Sequence, residues 1–494
     1  MSDIAELIVL GGGPAGMAAA TAAADRGVDT VIIDENAAPG GQVYRSMPAS
    51  FRIADREALG PDHAIGDRLR SALESSGART AFGHRVWSAA HTEGGFRMEA
   101  VWSGGRAEWN AGRLVAAPGT TERLLPFPGW TTPGVIGLAG ATILLKAQRM
   151  LPGKAVVVAG AGPLVMAVAA SINKGGGKVA AVADLASPGE WLAAMPRMTG
   201  RADLLVRGLG WMRAIRAAGV PVLFRHAVRA AEGAGALEAV TLGPVDREGH
   251  PKEGQLRRFG CDALAIGYGL VPSTEVSRLM GAEHRFDALR GGWAPVRDVE
   301  GATSVPGFHV AGDAGGIGGA AVAEVAGRLA GLAVARDLGR IDAAGHQQEA
   351  GPLRAALAKA DRFGATMARM MRPRPGLLDI CTPDTVVCRC EDVTRAEVEQ
   401  VIAAGALEFN QLKQWSRCGM GPCQGRMCGE ATAMLIAKHV GGREKAGLNR
   451  ARVPIRPVPL DQLAGTFAYD DSFWESDAAK LSLNVLPDEN QVSR

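Results

Sequence analysis

Ala5-Glu6-Leu7-Ile8-Val9-Leu10-Gly11-Gly12-Gly13-Pro14-Ala15-Gly16 carries a short apolar run straight into a glycine turn, and the alanine-rich residues 17–26 follow. Such a run suits a strand buried on both faces, and the stretch after the turn suits a helix. Strand, turn and helix in that order form the phosphate-cradling unit of a dinucleotide-binding fold. Gly11 allows the tight turn, Gly13 leaves room for a pyrophosphate at the helix N-terminus beside Pro14 and Ala15, and Gly16 lets helix and strand pack closely. A second apolar run, 30–33, ends at Asp34, eighteen residues beyond Gly16. A carboxylate there, with Glu35 next to it, can accept hydrogen bonds from an adenosine ribose. A plain glycine turn is the alternative, but strand, helix, second strand and acid all fall in place.

The pattern repeats. Residues 154–159 read as another buried strand leading into Gly160-Ala161-Gly162-Pro163-Leu164-Val165, and Asp184 closes the following strand, 179–183. Val165 stands where the third glycine should be, so a branched side chain occupies the point of closest helix–strand packing. This second fold is either a nucleotide site or a structural relic. Asp184 disfavours the 2′-phosphate of NADP in either case.

A chain of 494 residues exceeds one ordinary core and predicts several domains. Its 54 basic and 51 acidic residues nearly cancel, and no basic and aromatic stripe is present, so nucleic acid is not an expected partner. The N-terminus lacks the basic start and cleavage site of a signal peptide, and no apolar run approaches the roughly 18 residues of a membrane span. These features predict a cytoplasmic protein without a transmembrane segment, which could still dock on a membrane-bound partner. Of seven cysteines, five lie between Cys388 and Cys428, which in a reducing compartment points to metal rather than disulfides.

Two further motifs bear on which dinucleotide is held: Pro39-Gly40-Gly41-Gln42 after the acid, and Phe308-His309-Val310-Ala311-Gly312-Asp313 before Ala314-Gly315-Gly316. On these residues the chain resembles the two-dinucleotide-fold flavoproteins. The resemblance implies FAD, held by Gly11, Gly13, Pro14, Ala15, Gly16, Asp34, Glu35, Gly41, Gln42, Gly119, Gly312 and Asp313, with Asp313 on the ribityl and phosphate groups. Asp313 also reads as a helix N-cap before 320–329, and the two roles can coexist. Disulfide reductases of this family relay electrons through a nearby dithiol. This chain has no such pair, and its middle region offers only Cys261, which suits a buried apolar thiol.

Cys388-x-Cys390 is followed, after 27 residues, by Cys418-x4-Cys423-x4-Cys428. Four thiolates can hold either a [2Fe-2S] cluster or zinc, and both assemblies carry the same −2 charge, so charge does not separate them. Arg389, Lys413, Arg417 and Arg426 are placed to offset it. The stretch resembles the small helical [2Fe-2S] domain of bacterioferritin-associated ferredoxin. By that resemblance the ligands are Cys388, Cys390, Cys423 and Cys428, and Cys418 is a bystander. Cys381 reads as packing or linker.

The proline- and glycine-rich segment 117–135 resembles that of the larger subunits of opine oxidases, D-hydroxyproline dehydrogenase and hydrogen cyanide synthase, and with the cysteine region the likeness spans the chain to about Leu463. The expected fold is α/β: a two-dinucleotide-binding-domain flavoprotein with a C-terminal small helical bacterioferritin-associated-ferredoxin-like [2Fe-2S] domain. Its expected parts are an FAD-binding domain in two pieces, 1–120 and 285–345; a second nucleotide-binding-like domain, 121–284, strand-rich over 237–267; a helical linker, 346–380; the [2Fe-2S] domain, 381–440; and an extended tail, 441–494. Within the linker, 352–378 reads as helical apart from a hinge at 372–376. The closely spaced prolines of 453–460 forbid helix and predict a segment wrapped on another domain. The acidic stretch 466–494, with Phe473 and Trp474, reads as a solvated tail or a docking arm. No catalytic residue is assigned, and none of the nine histidines sits in a recognisable constellation.

The resemblance further implies an electron-transfer subunit of a heteromeric amino-acid or opine dehydrogenase. Its partner would be a catalytic FAD-containing beta subunit similar to glycine or sarcosine oxidase, with room for FMN at a subunit interface and for a small third subunit. The alternative is an autonomous NADH-dependent FAD/[2Fe-2S] oxidoreductase, which needs the second fold to bind nucleotide.

Overall fold

Strand Asp3–Leu10, with Leu7, Ile8 and Val9 fully buried, lies inside a seven-stranded sheet of a computed structural model describing residues 3–48, 50–53 and 60–464. It pairs in parallel with Thr30–Asp34 on one side and Gly105–Ala116 on the other. Parallel pairing on both sides, with helices above and below, explains why the run shows no polar alternation. Gly105–Ala116 is long enough to serve two neighbours: Phe96 to Trp102 pair with its first part, and Phe308–Val310, arriving from far down the chain, pairs in parallel with Leu114 to Ala116. The first dinucleotide fold is thus closed by a strand some two hundred residues away.

Helix Pro14–Ala24 starts three residues before the alanine-rich stretch, because Gly13 serves as N-cap and Pro14 takes the first-turn position where its missing N–H costs nothing. Helix Ala320–Asp337 lies against it at backbone contact: a Cβ on Gly327 would stand 2.0 Å from the Ala15 carbonyl oxygen, and one on Gly331 2.4 Å from that of Ala19.

The inserted fold is a five-stranded parallel sheet in which Ala155–Gly160 lies between Lys178–Asp184 and Ala263–Gly267. Val165 does not prevent it: the side chain is fully buried in helix Pro163–Lys174. A three-stranded antiparallel sheet, His226–Glu232, Ala239–Pro244 and Arg257–Gly260, accompanies it.

The linker helix runs Ala343–Met370, capped by Asp342, whose side chain accepts from Gly345 N at 2.7 Å. The sequence pattern starts this helix at Pro352, but the helix carries the proline inside, on an exposed face where water can reach the carbonyl the ring frees. After the 3-10 turn Pro375–Ile380, the cysteine region forms a two-stranded ribbon, Val386–Cys388 and Val393–Thr394, and helices Arg395–Ala403, Phe409–Ser416 and Gly429–Val440. Its core is continuous with that of the inserted fold: Val387, Val398, Phe409 and Leu412 belong to the same buried cluster as Phe127, Trp130, Val157 and Leu264.

The chain divides into two units, Met1–Arg456 and Pro457–Arg494, the second carrying the short helix Leu460–Ala464. Phe473 and Trp474 lie outside the described residues. Among the described residues no helix is long and apolar enough to cross a membrane.

Candidate FAD cavity and cysteine nest

A cavity of about 190 Å³ opens at the C-terminal ends of the first sheet's parallel strands. Gly11, Gly13, Pro14 and Ala15, at the start of the first helix, form its floor, and Asp34, Glu35, Gly41, Gln42, Gly119 and Asp313 line the rest of it. Gly16 and Gly312 stand behind it. A Cβ on Gly16 would meet the Gly11 carbonyl oxygen at 1.7 Å, and Gly312, at φ +70, leaves no room for a Cβ beside that of Ala15. Both act by permitting close approach.

The acids have separate tasks. Asp34 Oδ2 accepts from Gly12 N at 2.5 Å, and Oδ1 accepts from Asn36 N and Nδ2, both at 2.7 Å, so Asp34 pins the glycine loop. A carboxylate has about four lone-pair positions, so capacity remains for a ribose. Among the described residues Glu35 holds two distant ion pairs, to Arg456 at 3.7 Å and Arg85 at 4.0 Å. Asp313 accepts from Gly318 N and Gly319 N at 2.9 and 2.8 Å, which folds the loop before helix Ala320–Asp337, and burial raises its carboxyl above the ordinary value. The floor is the N-terminus of an alanine-rich helix with no acid in its first turn, which suits a pyrophosphate. The residues present therefore fit FAD. Sequence reading missed Glu275, Val276, Ile455 and Arg456, which also line the cavity; they come from segments whose place only the fold sets.

The second glycine loop is covered by the chain itself. A Cβ on Gly162 would stand 2.5 Å from Cγ of Met371, just beyond the linker helix. Asp184, fully buried, accepts from Ala186 N and Trp191 Nε1 at 2.9 Å each, and burial pushes its carboxyl up to about 6. Buried Arg374 pairs with Glu190 at 3.4 Å and donates to the Arg247 carbonyl. The residue that follows the linker helix thus covers the second glycine loop.

The Sγ atoms of Cys388, Cys418 and Cys428, all buried, lie within 4.8 Å of one another. Cys390 and Cys423, partly exposed, are hydrogen-bonding neighbours. Gly421 is required there, since a Cβ would meet that of Cys390 at 2.3 Å. Cys418 thus stands within the nest, where its thiol also meets Thr432 Oγ1 at 3.2 Å. A nest of thiols alone suits iron or zinc, and five thiols exceed the four that a [2Fe-2S] cluster takes. Cys381 donates to the Pro126 carbonyl at 3.0 Å, and burial pushes both its thiol and that of Cys261 up to about 11, as expected for packing residues.

One buried network joins the helix that follows the nest to the inserted fold and to Gly291. Arg123, 2% exposed, donates to the Gly291 carbonyl at 2.8 Å and pairs with Glu430 at 3.4 Å, two residues beyond Cys428, and Arg443 pairs with Glu430 at 2.7 Å. Burial raises the Glu430 carboxyl, but Arg443 and Arg123 outweigh it and hold it below the ordinary value.

Comparison with known proteins agrees with this architecture. The family model described as pyridine nucleotide-disulphide oxidoreductase matches residues 5–330, and that described as sarcosine oxidase A3 domain matches residues 382–466. An opine oxidase subunit of Rhizobium meliloti is 34% identical, with 93% of this chain and 98% of the relative covered. The hydrogen cyanide synthase subunit HcnB of Pseudomonas aeruginosa is 34% identical, with 92% and 97% covered. Among solved structures, L-proline dehydrogenase from P. horikoshii shares the fold with a TM-score of 0.66 at 21% identity, over 94% of this chain and 80% of that one. With its nested nucleotide folds, its cavity and matches over nearly its whole length, the chain belongs to the pyridine nucleotide-disulphide oxidoreductase family, alongside the opine oxidase subunit and HcnB, and is an oxidoreductase of flavoprotein fold.

Proposed function

We propose that this chain is the FAD- and [2Fe-2S]-containing electron-transfer subunit of a heteromeric dehydrogenase or oxidase. The complex oxidises an amino acid or secondary amine, such as an opine or D-hydroxyproline, in a partner flavoprotein subunit similar to glycine or sarcosine oxidase. The carrying observation is the covered second glycine loop: Met371 lies against Gly162, where a pyrophosphate would have to approach, and this weighs against the autonomous NADH-dependent reading. The relatives are themselves named as subunits.

Bound FAD supplies exchange between two-electron and one-electron carriers, and a cluster supplies one-electron transfer. The chain's own residues would do the rest. Asp34 and Asp313 fold the two loops that hold the cofactor's ends; Cys388, Cys390, Cys423 and Cys428 would bind iron; Arg123 and Glu430 keep the nest fixed against the inserted fold. Interface FMN and a small third subunit belong to the same reading.

Anaerobic stopped-flow mixing tests it. The isolated chain should show no catalytic flavin bleaching with proline derivatives, opines or glycine, whereas the co-expressed complex should bleach with its substrate. Rapid bleaching of the isolated chain would place amine oxidation within these 494 residues.

A further inference from the structure

We propose that residues 449–456 are a clasp that closes the FAD cavity and is held by the cysteine loop, so that FAD retention and order in the metal nest are coupled, with Arg456 positioning Glu35 at the cofactor's adenosine end. The proposal rests on the FAD and cluster assignments above.

At one end the clasp is part of the first fold. Ile455 N donates to the Trp87 carbonyl at 2.8 Å, and the Ile455 side chain, 4% exposed, sits in the core with Val86, Phe96 and Phe308. Ile455 and Arg456 line the cavity, as Glu35 does. The guanidinium of Arg456 lies 3.7 Å from Glu35, whose other ion pair among the described residues is the longer one to Arg85.

Gln424 and Arg426, between Cys423 and Cys428, grip the clasp along its length. Gln424 donates to the Pro454 carbonyl, Arg426 donates to the Ile455 carbonyl at 2.9 Å, and Asn449 Nδ2 donates to the Gln424 carbonyl at 3.4 Å. Gln424 holds a left-handed conformation, φ +51, that a side chain rarely adopts and that surrounding contacts must maintain. Arg426 also pairs with Glu275 at 2.8 Å, and Glu275 and Val276 line the cavity. Arg278, on the same short helix, donates to the Asn449 carbonyl. Cysteine loop, clasp and helix Glu275–Leu279 are therefore joined in one connected ring, two members of which line the cavity. Ordering any member favours the others, and such coupling is reciprocal.

The test uses the full-length chain stripped of flavin, with FAD titrated by fluorescence quenching and iron and labile sulfide counted per chain. Arg456→Ala should weaken FAD by roughly fivefold and Arg456→Lys should restore most of that. Arg426→Ala, which lies outside the cavity lining, should weaken FAD by a similar factor, and the double variant should lose little more than either single one. Hydrogen exchange guards against misfolding: FAD should slow the Ile455 amide in the wild type, and Arg426→Ala should release it while the central strands stay protected. Wild-type FAD affinity in Arg426→Ala, additive losses in the double variant, or an Ile455 amide insensitive to FAD would each overturn the clasp. Wild-type protein that takes up no FAD at all would instead sink the cofactor assignment beneath it.

Discussion

Glu122 has no assigned part in redox chemistry, yet its environment is among the most unusual in the molecule. Its carboxylate lies at the N-terminus of helix Leu138–Lys146, where both oxygens accept from Ala139 N at 3.1 Å, and burial pushes its value up to about 7 despite those hydrogen bonds. A carboxyl that titrates higher in the folded than in the unfolded chain favours folding while protonated, and that contribution is lost as pH climbs from about 4.5 to about 7. Glu122→Gln should therefore raise the unfolding free energy measured by denaturant titration at pH 8 by about 2 kcal/mol, and change it little at pH 4. Equal effects at both pH values would contradict the assignment. The cysteines are tested by counting iron. Two irons and two labile sulfides per chain are expected; Cys423→Ala should abolish them, and Cys418→Ala, whose thiol is already engaged with Thr432, should keep them. One zinc per chain without sulfide would refute the cluster. Sequence spacing singled out all five thiols, but not which ones face one another, because Cys390–Cys423 contact depends on a loop whose turn is set by Gly421.

Between elements, the decisive contacts are those of glycine with backbone. Helices Pro14–Ala24 and Ala320–Asp337 approach so closely that Gly327→Val would drive its side chain into the Ala15 carbonyl. It should cost about 3 kcal/mol or more in urea unfolding and reduce FAD content, since Ala15 lies on the cavity floor. A Gly327→Val protein with wild-type stability and full flavin would show that the helices can separate freely. The first βαβ unit was legible because local periodicity and glycine spacing determine it. The match of Gly327 to Ala15 was not, since the two lie far apart in sequence and each reads merely as a helix rich in small residues. Met371 on Gly162 was hidden for the same reason: the glycine pattern advertises a nucleotide site, and only the course of the linker reveals that a methionine covers it.

On the scale of the whole molecule, the nesting of one nucleotide fold inside another could be read from the two glycine motifs and the distant Gly312-Asp313. The merging of the cysteine region's core with that of the inserted fold could not, because nothing local in Val387 or Leu412 says which surface they meet. The return strand Phe308–Val310 has a consequence for how the protein is made. Leu114 to Ala116 leave the ribosome long before the strand that completes their edge, so the nascent sheet waits with open hydrogen-bonding groups while the entire inserted fold is synthesised. Asp313 and Ile455 emerge later still. The cavity's floor and the lining from Asp34 to Gln42 are thus built first and the lining from Asp313 and Ile455 last, so during translation the vitamin-derived cofactor can be fully enclosed only as the final segments appear. A polypeptide released early would keep a well-formed glycine turn with little to hold a ligand against it.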